Sequence, residues 1–223
     1  MSHRTVSAYA GLAAAVLLPA GAAPASAAKK ITCSSGTTVL ASKDARVFTV
    51  TRGQVRRLLA CKTGGRKVRR IGLMGRNVPT SEFGIERKTL RLTGRYLAYG
   101  ARACSQEEFC ESQVDVVSIR TGKTVLASIA TPGAPGDDDF VTDVVLSDRG
   151  HVAWISHATV VNDATPIARY VTAKARRTDA GLAPAQLPVT LGTGLDIAST
   201  SLALGGGHVY WTQAATARSA LLP

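Results

Sequence analysis

The sequence contains few aromatic residues and, beyond its N-terminal end, no long apolar run. Only 5% of the 223 residues are Phe, Trp or Tyr. Stacking platforms for single-stranded nucleic acid need aromatic side chains interleaved with basic ones, and this interleaving is missing. No stretch after residue 27 approaches the ~18 apolar residues of a membrane-spanning helix. The composition therefore argues against a stacking platform for single-stranded nucleic acid and against a transmembrane segment in the mature chain. We expect no nucleic-acid partner, because the N-terminal end predicts export.

The sequence signatures of common hydrolases and metal sites are also missing. The chain has no Gly-x-Ser-x-Gly elbow and no His-Glu-x-x-His pair. Its four cysteines do not have the spacing of paired two-residue-gap zinc knuckles. We therefore expect no catalytic residue set, no metal and no cofactor, and a non-catalytic role is favoured over an enzyme.

The N-terminal end has the features of a secretory signal peptide, which we assign to residues 1–27. Arg4 supplies the positive region, the run from Ala8 to Leu18 supplies the apolar region, and Ala25-Ser26-Ala27 is a small-x-small cleavage site. We predict cleavage after Ala27 and a secreted single domain over residues 28–223. An uncleaved N-terminal anchor is the alternative.

All four cysteines lie beyond the predicted cleavage site, which fits an oxidising compartment. Four cysteines allow three pairings, and the sequence alone does not choose among them. Cys104 and Cys110 would close a short loop between two strand-like runs, which leaves Cys33 to pair with Cys61. We favour the disulfides Cys33–Cys61 and Cys104–Cys110, and the other pairings stay open.

One pattern returns along the chain: an apolar strand, a tight turn and a second apolar strand. The clearest copy runs from Val144 to Trp154, and a second copy runs from Ser201 to Trp211. Looser copies run from Leu90 to Tyr99 and from Val39 to Phe48. The repeat therefore defines the architecture more clearly than any other feature of the sequence.

Three of the copies have an aromatic residue at the same closing position, namely Tyr99, Trp154 and Trp211, at intervals of roughly 55 residues. The earliest copy has Thr49 at this position. A period near 50 with several strands in each unit is typical of propeller blades rather than of helical solenoids. We predict that these three aromatic side chains are buried in cores between neighbouring blades, because they are large enough to seal them.

The sequence predicts an all-β, propeller-like fold with about four blades of antiparallel strands. The predicted blades cover residues 31–75, 82–131, 140–192 and 196–223. The last blade lacks an outer strand. It is either incomplete or closed by an N-terminal strand at Ile31-Thr32-Cys33, because an unpaired edge invites aggregation.

The motifs of two repeats resemble a known family. The pattern Leu-Ser-Asp-x-Gly-x-Val-Ala-Trp at Leu146 to Trp154, and the hairpin Asp115 to Gly122, are similar to TolB-type and WD40-like β-propeller repeats. The whole pattern also resembles exported propeller-like proteins of bacteria with GC-rich genomes. The resemblance implies a propeller that binds diverse partners through its ring faces, and it implies no particular activity.

Charged residues are unevenly distributed along the sequence. The formal net charge is +12, and no acidic residue occurs between Ala45 and Ser81. A cell-envelope polyanion is the partner that such a span would attract. The candidate binding residues are Arg56, Arg57, Arg66, Lys67, Arg69 and Arg70. The alternative is outer-strand charge that keeps a sheet edge soluble.

Two further features have both a functional and a structural interpretation. Asp137-Asp138-Asp139 offers carboxylates for calcium but lacks the alternation of a calcium-binding loop, so we expect a solvated loop between blades. His151 and His208 occupy the same position in two repeats. We expect solvent-facing strand residues there rather than metal ligands.

Three functions are compatible with these observations. The favoured one is an exported, non-catalytic binding or scaffold module whose partner is a polyanion or another protein. The first alternative is a propeller hydrolase or lyase that acts on a polysaccharide. The second is a structural module that associates with copies of itself through the incomplete last blade, and the oligomeric state is open.

Overall fold

The computed structural model describes residues 30–75, 84–104, 110–131, 139–162, 165–176 and 188–222, with the backbone alone at residues 158, 160–162 and 165–169. This part of the chain is all-β: it contains sixteen strands and one short 3₁₀ helix, Arg87–Thr89. All these elements belong to one compact unit that spans residues 31–223. Among the described residues, no helix has the length and apolar character needed to cross a membrane.

The strands form four groups in chain order. The first group contains β1 (Thr37–Ala41), β2 (Ala45–Arg52), β3 (Val55–Lys62) and β4 (Val68–Met74). The second contains β5 (Gly84–Ile85), β6 (Arg91–Thr93), β7 (Tyr96–Cys104), β8 (Cys110–Ser118) and β9 (Lys123–Ile129). The third contains β10 (Phe140–Leu146), β11 (Val152–Asn162), β12 (Thr165–Ala175) and β13 (Val189–Gly194). The fourth contains β14 (Ala203–Gly205), β15 (His208–Gln213) and β16 (Thr216–Leu221).

Hydrogen bonds join the first and second groups into a nine-stranded sheet, whereas the third and fourth groups are sheets of four and three strands. The link is the two-residue strand β5, which pairs in parallel with β4 and antiparallel with β7. The remaining pairings among the described strands are antiparallel and join neighbours in sequence. One strand of each group also contacts the next in chain order: β1 with β6, β6 with β10, and β10 with β14.

Three hydrophobic cores lie between successive groups. Because successive side chains of a strand point to opposite faces, a strand between two cores must be apolar on both faces. On β7, Tyr96 lies in the core between the second and third groups, and Leu97 lies in the core between the first and second. On β11, Trp154 faces the second group and Ile155 faces the fourth. This double burial explains the near-continuous apolar runs of these two strands.

The predicted burial of the three repeat aromatics is confirmed. The exposed fractions of Tyr99, Trp154 and Trp211 are 4%, 0% and 6%. The Trp154 Nε1–H donates a hydrogen bond of 2.9 Å to the carbonyl oxygen of Ala130. Full burial of Trp154 therefore leaves its one polar atom paired.

Both favoured disulfides are confirmed. Cys33 is bonded to Cys61 with a Cα–Cα distance of 6.0 Å, and Cys104 to Cys110 with a distance of 4.0 Å. Cys104 and Cys110 face each other directly in the β7–β8 ladder. The second disulfide therefore staples the end of a hairpin, and the first ties the N-terminal end of the described chain to β3.

The predicted closing strand at Ile31–Cys33 is wrong. These residues form no strand, and Ile31 and Cys33 pack beside Phe48 and Leu59 on the outer face of the first group. The reason is the bond from Cys33 to Cys61, which holds this segment against β3 rather than beside β16. In the described part of the chain the fourth group has three strands, as the incomplete-blade alternative expects.

Candidate functional site

Four exposed basic side chains cluster at one end of the β3–β4 hairpin. Lys62 is the last residue of β3, Arg66 and Lys67 lie in the connecting turn, and Arg70 follows on β4. Arg70 pairs with Leu59 across the ladder. These four residues, Lys62, Arg66, Lys67 and Arg70, are termed the basic turn below.

Local hydrogen bonds hold the basic turn in place. The Gly65 N–H donates a bond of 2.8 Å to the carbonyl oxygen of Lys62, and Gly64 takes a φ of 71°, which favours glycine. The Thr63 N–H donates a bond of 3.0 Å to the carbonyl oxygen of Asp44 in the β1–β2 turn. The exposed Asp44 is therefore an acidic neighbour that offsets part of the positive charge.

The structure separates the other three predicted basic residues from the basic turn. Arg69 donates a bond of 3.3 Å to the carbonyl oxygen of Arg120, and a Cβ at Gly122 would lie 2.9 Å from the Arg69 Cδ. Arg57 is half-buried, and its Nε is buried without a hydrogen-bond partner. Arg56 lines a cleft beside the 3₁₀ helix.

Strand geometry explains this separation. Adjacent residues of a strand project from opposite faces, so each arginine doublet is divided between the two sides of the hairpin. Of the six predicted residues, Arg66, Lys67 and Arg70 are exposed in the turn half of the hairpin, and Arg70 lies on the face of its ladder partner Leu59. Lys62 joins them and was missed, although it lies in the same acid-free span of the sequence.

The turns of three repeats meet at a second surface, a cleft of about 550 Å³. Its walls come from the β6–β7, β10–β11 and β14–β15 turns and from the end of β16. They include Thr93, Leu146 to Arg149, Leu204 to Gly207, Leu221 and Leu222. We term this surface the repeat-turn cleft.

Few hydrogen bonds tie the walls of the repeat-turn cleft together. The Thr93 hydroxyl donates a bond of 3.2 Å to the carbonyl oxygen of Leu146, and the Leu222 N–H donates one of 2.8 Å to that of Gly207. Asp148 and Arg149 are exposed at its edge. The cleft therefore offers one charge of each sign, exposed glycine backbone and apolar surface.

Asp143 connects three of the four strand groups and is buried. Its Oδ1 accepts bonds of 2.9 Å from Arg91 Nη2 on β6 and from its neighbour Val144 N. Its Oδ2 accepts a bond of 3.0 Å from the Leu202 N–H, just before β14. Both oxygens of this carboxylate accept hydrogen bonds from the protein, so Asp143 has a structural role.

Asp115 and Tyr99 form a buried pair across the β7–β8 ladder. Burial raises the pKa of the Asp115 carboxyl to about 6, although hydrogen bonds from Tyr99 and from Gln113, the latter of 3.0 Å, act in the opposite direction. Burial and the neighbouring Asp115 charge raise the pKa of Tyr99 well above 10.0. The pair is the clearest perturbed titrating group in the described residues, and the core encloses it.

Two sequence-based expectations for polar residues are wrong. The expectation of solvent exposure fails for His151, which is buried with 9% exposure, whereas His208 is a half-buried residue of β15 with its Nδ1 3.1 Å from the Gly206 carbonyl oxygen. Asp139 is 1% exposed rather than solvated, because it bonds to the Thr131 hydroxyl and the Thr159 N–H. The other two carboxylates of that run, at positions 137 and 138, lie outside the described residues.

No group of three or more His, Cys, Asp or Glu side chains converges as a metal site among the residues that the structure describes. No protein-family model matches the chain, and no curated protein matches it. A solved structure titled AtxE2 isopeptidase, in its apo form, is 10% identical, with a TM-score of 0.23. The match covers 80% of this chain and 38% of that one. A likeness at this level carries no argument about fold or activity.

Proposed function

We propose that this chain is an exported, non-catalytic binding module of the β-propeller type whose basic turn binds a cell-envelope polyanion. One observation carries the binding site: four exposed cations lie at one hairpin end, within a described stretch, residues 45–75, that contains no carboxylate. A polymer with regularly spaced negative charges contacts several such cations at once and releases its bound counterions as it does so.

The order of the strand groups supports the propeller part of the proposal. Propeller blades are sheets of about four strands arranged around a central axis. The four groups here follow one another with a core between each successive pair, and strands β1, β6, β10 and β14 adjoin in chain order. Residues 1–27 stay a prediction as a signal peptide, and the two disulfides support export because such bonds persist in oxidising compartments.

A protein partner is the second candidate, and the repeat-turn cleft favours it. Leu204 and Leu221 at this cleft have exposed fractions of 40% and 59%. Apolar side chains beside exposed glycine backbone suit an extended peptide segment, which binds through main-chain hydrogen bonds and apolar contacts. The two surfaces are built from different turns, so they can be tested separately.

The experiment is thermal unfolding of the oxidised full chain with long-chain polyphosphate or polygalacturonate, at low and at moderate salt. A ligand that binds only the folded protein raises the melting temperature. We expect a rise at low salt that fades as salt increases, because added salt weakens the gain from counterion release. Absence of a rise with both polymers would contradict polyanion binding and would leave the repeat-turn cleft as the candidate surface.

A further inference from the structure

Glu86 lines a second cleft, and its carboxylate makes no hydrogen bond. This cleft has a volume of about 340 Å³. It lies between the 3₁₀ helix and the open end of the β3–β4 hairpin, where β3 begins and β4 ends. The lining side chains that matter here are Arg56, Met74, Ile85, Glu86, Arg87 and Lys88. It shares no residue with the basic turn or with the repeat-turn cleft.

The backbone of Glu86 is fixed on both sides. Its N–H donates a bond of 3.0 Å to the Gly100 carbonyl oxygen of β7. Its own carbonyl oxygen accepts bonds of 3.1 Å from the Thr89 N–H and 2.8 Å from the Thr89 hydroxyl. The position of the side chain in the cleft is therefore set by β7 and by the 3₁₀ helix.

The Glu86 side chain is only 9% exposed, and both of its carboxylate oxygens are buried without a hydrogen-bond partner. Lys88 Nζ lies 3.9 Å from Oε2, beyond hydrogen-bond distance, and the Lys88 side chain is 54% exposed. The same ammonium lies 5.2 Å from the centroid of the Phe140 ring. Buried carboxylates normally accept several hydrogen bonds, so this one favours a ligand that carries donors and positive charge.

The rest of the cleft carries positive charge and therefore favours a negatively charged group. Arg56, Arg87 and Lys88 are exposed cations at its walls, and Met74 and Ile85 contribute apolar surface. A simple cation would be repelled by the three positive side chains, and a simple anion would leave the Glu86 carboxylate without a hydrogen-bond donor. A ligand that carries both charges satisfies both parts of the cleft.

We propose that this cleft binds a small zwitterion, namely an α-amino acid with an apolar side chain. Its ammonium group hydrogen-bonds to Glu86, its carboxylate lies near the Arg56 and Arg87 guanidinium groups, and its side chain contacts Met74 and Ile85. The cleft volume lies at the low end of the range for ligand sites, which suits a ligand of this size. This site is independent of the proposed polyanion function.

Isothermal titration calorimetry of the oxidised full chain with leucine, methionine and phenylalanine tests the proposal. We expect at least one of the three to bind, and we expect its N-acetyl and its amide derivative to bind at least tenfold more weakly. No binding by any of them would overturn the proposal. If the amide binds as tightly as the free amino acid, the cleft recognises only the ammonium group. If the N-acetyl form binds as tightly, the cleft recognises only the carboxylate. Either result would refute zwitterion recognition.

Two variants locate the binding event. Glu86→Gln keeps the shape of the side chain and should weaken binding at least tenfold, because the charge that attracts the ammonium is lost. Arg56→Ala changes an exposed residue that lines the same cleft and should weaken binding of the amino acid without affecting folding. Arg66→Ala, in the basic turn, is the matched control and should bind as the parent does. Unchanged binding in both cleft variants would refute this location even if the amino acid binds elsewhere.

Discussion

Asp143 is the side chain that ties the strand groups together most directly. It accepts hydrogen bonds from β6, from its own strand and from the segment before β14. Arg91, its ionic partner at 2.9 Å, is partly exposed, so solvent screens part of their attraction. The hydrogen bond from the Leu202 backbone N–H contributes more to stability than this ion pair, because loss of the carboxylate leaves that N–H without its partner.

Asp143→Ala should lower the free energy of unfolding by about 3 kcal/mol, because a charged partner is removed from a buried network. Urea unfolding measures this change. Asp148→Ala, which removes an exposed acid in the next turn, is the control and should change stability by about 0.5 kcal/mol or less. Equal effects of the two substitutions would contradict the connecting role of Asp143.

Asp115 should make stability depend on pH. Its folded-state pKa of about 6 lies above the ordinary value near 4, so the folded chain keeps a proton that the unfolded chain releases between these pH values. The stabilising contribution is complete below about pH 4 and is lost as the pH rises through about 6. The total loss is on the order of 3 kcal/mol.

Asp115→Asn removes this titration while retaining an oxygen that accepts a hydrogen bond from Tyr99. Relative to the parent, the variant should therefore gain stability from pH 4 to pH 7, as urea unfolding at each pH would measure. Asp148→Asn is the exposed control. A stability difference between parent and Asp115→Asn that stays constant over this range would argue against a raised pKa in the folded state.

The burial of individual polar side chains was the feature least predictable from the sequence. The sequence shows His151 and Asp139 beside turns, where solvent exposure is the simplest expectation. Their burial depends on partners that other elements supply, such as the Thr159 N–H on β11, 20 residues after Asp139. No pattern local to either residue reports such a partner.

At the scale of elements, the strands were predictable because turns and apolar runs are local signals. The repeat copies ending at Tyr99, Trp154 and Trp211 correspond to β6–β7, β10–β11 and β14–β15. The two-residue strand β5 was missed, since it is too short for any periodicity and pairs with β4 and β7 only through the fold. Each predicted blade range contains the strands of one group, apart from β13, which runs on to Gly194.

The two disulfides should differ in what they contribute to stability, because they close loops of different length. The cysteines are separated by 28 residues in Cys33–Cys61 and by 6 in Cys104–Cys110. Loop-closure entropy assigns contributions of about 3.6 and about 2.4 kcal/mol to loops of these sizes. Replacing Cys33 and Cys61 by Ala should therefore cost more than replacing the other pair.

Denaturant unfolding of the two double variants measures this difference, and the parent with both bonds intact is the reference. The Cys33–Cys61 variant also loses the restraint that holds Ile31 against Phe48, which acts in the same direction. A larger loss of stability for the hairpin disulfide would mean that strain or packing outweighs loop length.

At the scale of the whole molecule, charge in the sequence predicted a basic region but not its shape. The arginine doublets look contiguous in sequence, yet strand alternation and the contact of Arg69 with the β8–β9 turn divide them. The hairpin turn places Lys62, Arg66 and Lys67 at one end of the hairpin. The candidate polyanion site is therefore one end of a hairpin rather than the whole outer strand.

The stacking of the strand groups follows from the alternation of side chains between the two faces of a strand. Strands β7 and β11 bury both faces, so each group covers its neighbour, and strands β1, β6, β10 and β14 adjoin in series. The period of the repeat predicted this order of units, but a sequence period does not report the angle between them. The closure of the series into a ring therefore stays a proposal.

The most direct test of polyanion binding by the basic turn compares two variants of equal net charge. One neutralises the basic turn by Lys62→Ala, Arg66→Ala, Lys67→Ala and Arg70→Ala. The control neutralises four exposed cations elsewhere, by Lys123→Ala, Arg149→Ala, Arg176→Ala and Arg218→Ala. The affinity of each for long-chain polyphosphate is measured over a range of salt concentrations.

The account predicts that the basic-turn variant binds at least tenfold more weakly at low salt. The slope of log affinity against log salt should also become shallower by about 3, since each lost phosphate contact removes about 0.7 from it. The control variant should keep most of the affinity and most of the slope. Equal losses in the two variants would mean that the polymer responds to net charge alone, which would contradict a binding site at the basic turn.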